Sequence, residues 1–227
     1  MYGHLVKIGL DFYLDKSCGG KNWHEESWLI NLDAFIGSLS EKNLSTLKNK
    51  FSKEKTQLQN NDIVHEVMIM CAYHPDAILI PEQKIKTCDL FDESLDLNIE
   101  VKTLNESREE QVRHEENKII NQVGKVSDVG LVNRKENVIA AIKKKCSEKI
   151  YKAIDQIPPY KKGKIYLVYD YDHYFKNLDG TRSHAPLSKK EVHKVIEYAC
   201  RDFLTSRTRI EFEIIFHGDL KDKIARN

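Results

Sequence analysis

The sequence lacks an apolar run of the roughly 20 residues that a membrane-spanning helix requires. Its first residues also lack the apolar region of a signal peptide. The formal net charge is only +1 over 227 residues, so positive charge does not dominate the surface. Any surface that binds nucleic acid must then be a local patch. We expect a cytoplasmic protein with no membrane partner.

A cysteine framework is also missing. The cysteines are odd in number and scattered, with no C-x-x-C spacing: Cys18, Cys71, Cys88, Cys146 and Cys200. This usage predicts free thiols in a reducing compartment, not disulfides or a zinc site. No internal repeat, low-complexity segment or linker divides the chain, and its length suffices for one sizeable core. We expect one domain, with residues 1–59 as an N-terminal elaboration and residues 60–227 as its main part.

The most informative stretch is a predicted hairpin, with strands over 87–91 and 97–103 and a polar turn over 92–96. Residues two apart in a strand point to the same face, so Glu100 and Lys102 project together. The other face of that strand carries Ile99, Val101 and Thr103. Glu-x-Lys is common on strands, and an ordinary solvent-facing ion pair remains the alternative.

Antiparallel pairing about the turn brings Asp89 near Glu100. Two carboxylates provide the oxygen ligands that a hard cation such as Mg²⁺ prefers. A neighbouring lysine can hold a phosphate or orient a water molecule. The hairpin therefore predicts a cation site next to an ammonium group.

The elements around the hairpin follow a definite order. Asn60, Asn61 and Asp62 resemble the start of a helix that continues to Tyr73 and contains Glu66 among apolar residues. A buried glutamate is costly unless it is paired or binds a metal. The elements predicted along the rest of the chain are a strand at 77–80, a strand at 84–91, the Glu-x-Lys strand, a helix at 136–157 and a strand at 163–172.

This ordered set resembles the PD-(D/E)xK nuclease superfamily, whose core runs helix, three strands, helix, strand. The residues that carry the resemblance are Glu66, Asp89 and the Glu100-Val101-Lys102 segment. Cys88 stands where the motif has proline, a position that varies in the superfamily. A literal Pro75-Asp76 also exists, and Asp76 is the second choice for the aspartate because it falls at a helix-to-strand junction. The resemblance covers residues 60–170.

The resemblance implies an α/β fold: a restriction-endonuclease-like αβββαβ core with a mixed central sheet flanked by helices. The N-terminal elaboration and a C-terminal αβ extension would be added to this core. The extension corresponds to a predicted helix from Ser188 and a strand at 209–216, followed by a charged tail. A further strand is predicted over residues 5–10.

The implied function is a metal-dependent nuclease, a DNA endonuclease by preference, that hydrolyses phosphodiester bonds. Its cofactor would be Mg²⁺, with Mn²⁺ able to substitute. Asp89, Glu100 and the main-chain carbonyl of Val101 would hold the metal, and Glu66 a second ion, directly or through water. Lys102 would position the attacking water, help to deprotonate it and stabilise the phosphorane. Since many members cut duplexes as dimers, the implied partners are DNA and a second copy of the chain.

Several lysines and one segment have two interpretations. In the resembled family the helix after the Glu-x-Lys strand often assists the site, which makes Lys145 and Lys149 candidates for binding nucleic acid, or else ordinary surface lysines. The lysines of a predicted helix over 40–59, including Lys50, either face phosphates or form a solvated face. The insertion at 104–135 is either a substrate-binding loop or disordered. His173 and His184 are weaker candidates for substrate contacts.

Two other classes of function compete with catalysis. One is a catalytically silent nuclease-fold module that binds nucleic acid or protein in a defence or toxin system. The other is an interaction protein in which the Glu-x-Lys pair is only a salt-bridged strand face. Metal-dependent cleavage distinguishes an enzyme from both.

Overall fold

The computed structural model describes most of the chain in separate stretches. These are residues 3–7, 26–51, 57–82, 87–104, 134–169, 187–204 and 209–227. All but residues 104, 134 and 135 of the predicted insertion lie outside these stretches, as do His173 and His184. The expectations for them remain predictions. The cysteines in the described stretches are free thiols, as expected: Cys71, Cys88, Cys146 and Cys200.

A mixed five-stranded sheet forms the centre of the described fold. Its strands, in spatial as well as chain order, are β1 (Ile78–Leu79), β2 (Leu90–Asp92), β3 (Leu97–Leu104), β4 (Gly163–Tyr169) and β5 (Ile210–Phe216). The pairs β1–β2 and β2–β3 are antiparallel, and the pairs β3–β4 and β4–β5 are parallel. The expectation of an α/β fold with a mixed central sheet is confirmed.

Helices precede and separate the strands. They are α1 (Gly3–Lys7), α2 (Ser27–Ser38), α3 (Glu41–Phe51), α4 (Gln57–Tyr73), α5 (Arg134–Gln156), α6 (Lys189–Leu204) and α7 (His217–Arg226). From α4 onwards the described elements follow one another as helix, three strands, helix, strand, helix, strand, helix. The final strand extends the sheet beyond β4.

The alternation of side chains along β3 and β4 divides the core into two apolar layers. Ile99, Val101 and Tyr166 point into the layer that includes residues of α2, α4 and α7. Leu104 and Leu167 point into the opposite layer, with residues of α5 and α6. Glu100 and Lys102 alternate with the first set, so they project towards the side of the sheet that α5 covers.

Some boundaries differ from the sequence-based expectations. The helix α4 begins at Gln57, one turn before the predicted start. The strand β2 is only three residues long, so Asp89 lies just before β2 and not within it. The strand predicted at 5–10 is wrong over residues 5–7, because Gly3–Lys7 is helical, and residues 8–10 lie outside the described stretches. The charged tail is the helix α7, whose Leu220 and Ile224 are fully buried one turn apart while its charged residues are more exposed.

A buried polar chain connects the end of α4 to two strands. His74 Nδ1 donates to Asp92 Oδ2 at 2.8 Å, because a carboxylate can only accept, and His74 Nε2 lies 2.8 Å from Tyr166 Oη. Asp92 Oδ1 accepts from Ser94 N at 3.1 Å, Ser94 Oγ at 2.7 Å and Leu95 N at 3.3 Å. Burial acts to raise the pKa of Asp92, but the hydrogen bonds from Ser94 and His74 outweigh it and lower that pKa.

We predict that Asp92→Asn lowers the free energy of unfolding by about 2 kcal/mol at pH 7, because it removes the charge that these donors stabilise. A lowered pKa means that the carboxylate contributes fully above its ordinary value of 3.8 and loses its contribution as the pH falls through the lowered value. The difference should therefore shrink below about pH 4. Urea unfolding across pH measures it, with the exposed neighbour Glu93→Gln as the control. A difference that persists unchanged at low pH contradicts the assignment.

Candidate active site

The candidate site lies where β2 stops pairing with β3. The last paired residues are Leu90 and Ile99, and one more backbone hydrogen bond follows, from Asp89 N to Ile99 O at 3.1 Å. Beyond it, the side chain of Asp89 replaces the backbone as partner, because its Oδ2 accepts from Val101 N at 2.8 Å. This hydrogen bond fixes the Asp89 carboxylate beside Glu100, the residue of β3 between Ile99 and Val101.

A cavity of about 270 Å³ opens at this point. The helix α4 contributes one wall, the helix α5 another, and β3 and the segment before β2 form the floor. The lining residues are Asp62, Ile63, Glu66, Glu82, Asp89, Val101, Lys102, Lys149, Lys152 and Gln156. Gln156 Nε2 also donates to Thr87 O at 3.2 Å, which ties the end of α5 to the segment that carries Asp89.

Lys102 lines the cavity and forms an ion pair with the buried Glu100, which does not itself line the cavity. Lys102 Nζ donates to Glu100 Oε1, and Glu100 is 0% exposed. The second oxygen, Glu100 Oε2, is buried and has no hydrogen-bond partner in the described part of the chain. Burial, together with the negative charge of Asp89, raises the pKa of Glu100 to about 9, against the opposing effect of Lys102.

The pKa of Lys102 is also raised, because the attraction of Asp89 and Glu100 outweighs the effect of burial, which acts to lower it. The two shifts favour different charge states for the same pair. We interpret the raised pKa of Glu100 as the controlling one, because its desolvation and its repulsion by Asp89 both disfavour the carboxylate form. A cation held by Asp89 and Glu100 would therefore favour the carboxylate form of Glu100, which burial and the charge of Asp89 disfavour in its absence.

Glu66 is held by a residue from outside the predicted core. Lys50 on α3 donates to Glu66 Oε2, and the two residues are only 3% and 7% exposed. Burial and the charge of Asp89 raise the pKa of Glu66 to about 7, whereas Lys50 acts to lower it. For Lys50, both interpretations drawn from the sequence are wrong, because its ammonium faces neither solvent nor an open surface.

Asp62, whose sequence context indicates only a helix start, is a further acid of the cavity. It interacts with Lys149 and hydrogen-bonds to Thr103 of β3, and its pKa is raised by burial. Thr103 Oγ1 also lies 2.9 Å from His65 Nδ1, and His65 Nε2 lies 2.8 Å from His217 Nδ1. A polar connection thus runs from the cavity through the sheet edge to α7.

The structure separates the sequence candidates into two groups. Glu66, Asp89, Glu100 and Lys102 lie together in or beside the cavity, whereas Asp76 is exposed in the turn after α4 and does not line it. On α5, Lys149 lines the cavity and Lys145 does not. Lys152, three residues after Lys149 and on the same side of the helix, was missed, although its helical spacing was visible in the sequence.

A resident cation has to be judged from the donors present. Within the described residues, no three histidine, cysteine, aspartate or glutamate side chains are grouped so that they could hold a metal ion. The expected ligand set needs only two carboxylates, those of Asp89 and Glu100, with the carbonyl of Val101. The buried, unpartnered Glu100 Oε2 fits that set, because a cation supplies the partner this oxygen lacks.

Comparison of the chain with protein-family models finds no match, and comparisons with curated proteins and with solved structures find none either. None of the described helices is both long and apolar enough to cross a membrane.

We predict that Lys50→Met lowers the free energy of unfolding by about 3 kcal/mol, because it leaves Glu66 buried without its counter-charge. Adding Glu66→Gln should restore about 2 kcal/mol of that loss. The double-mutant cycle is measured by urea unfolding, with Lys48→Met at an exposed position of α3 as the control. Strictly additive effects would show that the two residues are not energetically coupled.

Proposed function

We propose that the protein is a Mg²⁺-dependent nuclease of the PD-(D/E)xK type that hydrolyses phosphodiester bonds in DNA. The observation that carries the proposal is the placement of Asp89 beside the Glu100–Lys102 pair in an open cavity. The order of elements from α4 to β4 is that of the superfamily core, which supports a restriction-endonuclease-like topology. Mn²⁺ would substitute for Mg²⁺, since both prefer oxygen ligands.

Asp89, Glu100 and Lys102 have distinct tasks in this proposal. Asp89, Glu100 and the carbonyl of Val101 would hold the cation, which neutralises phosphate charge and makes a water molecule more acidic. Lys102 lies next to both acids and, as an ammonium group with a raised pKa, would position the attacking water and donate to a phosphate oxygen, while the cation lowers the pKa of that water. The bond from Val101 N fixes Asp89, so one ligand is oriented before substrate arrives.

The lysines on the cavity wall formed by α5 favour a nucleic acid as the substrate. Lys149 and Lys152 line the cavity and Lys145 lies one turn before Lys149, so the three form a row on one side of the helix. Lys149 interacts electrostatically with Asp62, but neither Lys149 nor Lys152 forms a close salt bridge within the described residues. Such a row would contact phosphates next to the scissile one and would supply affinity without reading base sequence.

We predict metal-dependent cleavage that requires Lys102. Purified protein is incubated with supercoiled plasmid, linear duplex, single-stranded DNA and RNA, in Mg²⁺, Mn²⁺ or EDTA. Lys102→Ala should lower the rate about 100-fold or more, because it removes the group that stabilises developing charge. Lys161→Ala, an exposed lysine, is the control.

Lys102→Ala can also unfold the protein, because it leaves Glu100 buried and unpaired, so its circular dichroism is checked. Asp89→Asn is the second inactive variant, and it keeps an oxygen that accepts from Val101 N. A folded Lys102→Ala or Asp89→Asn protein that cleaves at the wild-type rate contradicts the proposed active site. Absence of cleavage by the wild type on every substrate favours the silent binding module.

We predict that Lys149→Ala and Lys152→Ala each weaken DNA binding by the inactive Asp89→Asn protein. Each should reduce the slope of log affinity against log salt by about 1, because one phosphate contact is lost. Lys144→Ala, on an exposed part of the same helix, should leave the slope unchanged. Fluorescence anisotropy over a salt series measures the slopes, and equal slopes for all variants would place the DNA elsewhere.

A further inference from the structure

The environment of Glu66 already contains a cation that belongs to the protein. Lys50 donates to Glu66 Oε2, and its ammonium also interacts with Asp89 and Glu82. Its exposed fraction is 3%, so the ammonium cannot move into solvent unless α3 separates from the site. Lys50 therefore lies among the same carboxylates that a second metal ion would use.

The charges of the inner site support the same conclusion. Three acids, Glu66, Asp89 and Glu100, lie together here, and Lys50 pairs with Glu66 while Lys102 pairs with Glu100. With all of them ionised, three carboxylates and two ammonium groups leave one net negative charge. One divalent cation converts this to one net positive charge, which a phosphodiester balances. A second divalent cation would leave a large positive excess in a partly buried site.

We propose that the site binds one divalent cation, at Asp89 and Glu100, and that the ammonium of Lys50 takes the place of a second ion beside Glu66. Glu66 is then a positioning residue that holds Lys50, and it is not a metal ligand. The inference rests on the proposed function in one respect only: the proposed nuclease requires a divalent cation. It also makes the N-terminal helix α3 part of the active site.

The test is the stoichiometry of Mn²⁺ binding to the full chain, measured by isothermal titration calorimetry and by metal analysis after removal of free ion. The wild type should bind one Mn²⁺ per chain. Asp89→Asn should lower the affinity at least tenfold. Glu66→Gln should still bind one ion with an affinity within about threefold of the wild type, as should the control Glu93→Gln in the exposed turn between β2 and β3.

Two ions per wild-type chain, with one lost in Glu66→Gln, would overturn the inference while leaving a metal-dependent nuclease intact. No binding of Mn²⁺ would overturn both the inference and the proposed metal dependence. Lys50→Gln adds an independent test, because removing the ammonium should create a second, weaker Mn²⁺ site. A folded Lys50→Gln protein that binds a single ion would contradict the proposal that the lysine takes the place of a second metal ion. If Lys50→Gln does not fold, the numbers of ions bound by the wild type and by Glu66→Gln decide whether the site holds one metal ion or two.

Discussion

The hydrogen bond from Val101 N to the Asp89 carboxylate is the constraint on which the candidate site depends. If β2 continued to pair with β3, a backbone carbonyl would satisfy Val101 N and the strands would close over the space that the cavity occupies. The Asp89 side chain ends the backbone hydrogen bonding between β2 and β3, and Val101 N still has an acceptor. The adjoining edge of β3 is consequently open to α4 on one side and to α5 on the other.

That open edge explains why charged groups collect on it. Glu100 and Lys102 lie on the side of β3 that faces α5, and Thr103 lies on the side that faces α4, where it meets Asp62 and His65. A strand with both neighbours would bury these positions against apolar side chains. At the edge, two helices bring their own ionisable groups instead. The pKa values of Glu66 and Glu100 are raised first by burial and then by the negative charge of Asp89.

The parts of this arrangement that depend on local geometry could be predicted from the sequence. A short hairpin sets its own register, so the proximity of Asp89 and Glu100 followed from the turn over 92–96 and the alternation of β3. The apolar periodicity of α5 and the continuous apolar run of β4 were equally local. Their order along the chain then suggested an α/β fold with a mixed sheet.

The remainder depends on tertiary contacts that no pattern encodes. The ion pair of Lys50 with Glu66 joins residues 16 apart across two helices, and the contact of His65 with Thr103 joins residues 38 apart. On sequence alone, Lys50 is one of many lysines of a charged helix, and Asp62 is a polar residue near a helix start. The helix α7 could not be predicted for a similar reason, because its apolar pattern consists of little more than Leu220 and Ile224 among charged residues.

The burial of Lys50 also bears on why α3 is joined to the sheet at all. A buried ion pair is expensive to desolvate, and an apolar pair of similar volume would stabilise the same contact at least as well. Retaining Lys50 and Glu66 under the site is therefore explained by what their charges do there and not by their contribution to stability. An ammonium anchored on a helix gives the acid cluster a fixed positive charge that does not depend on the concentration of free metal. The helix α3 therefore contributes a charge to the acid cluster, and its removal would change the electrostatics of the proposed site.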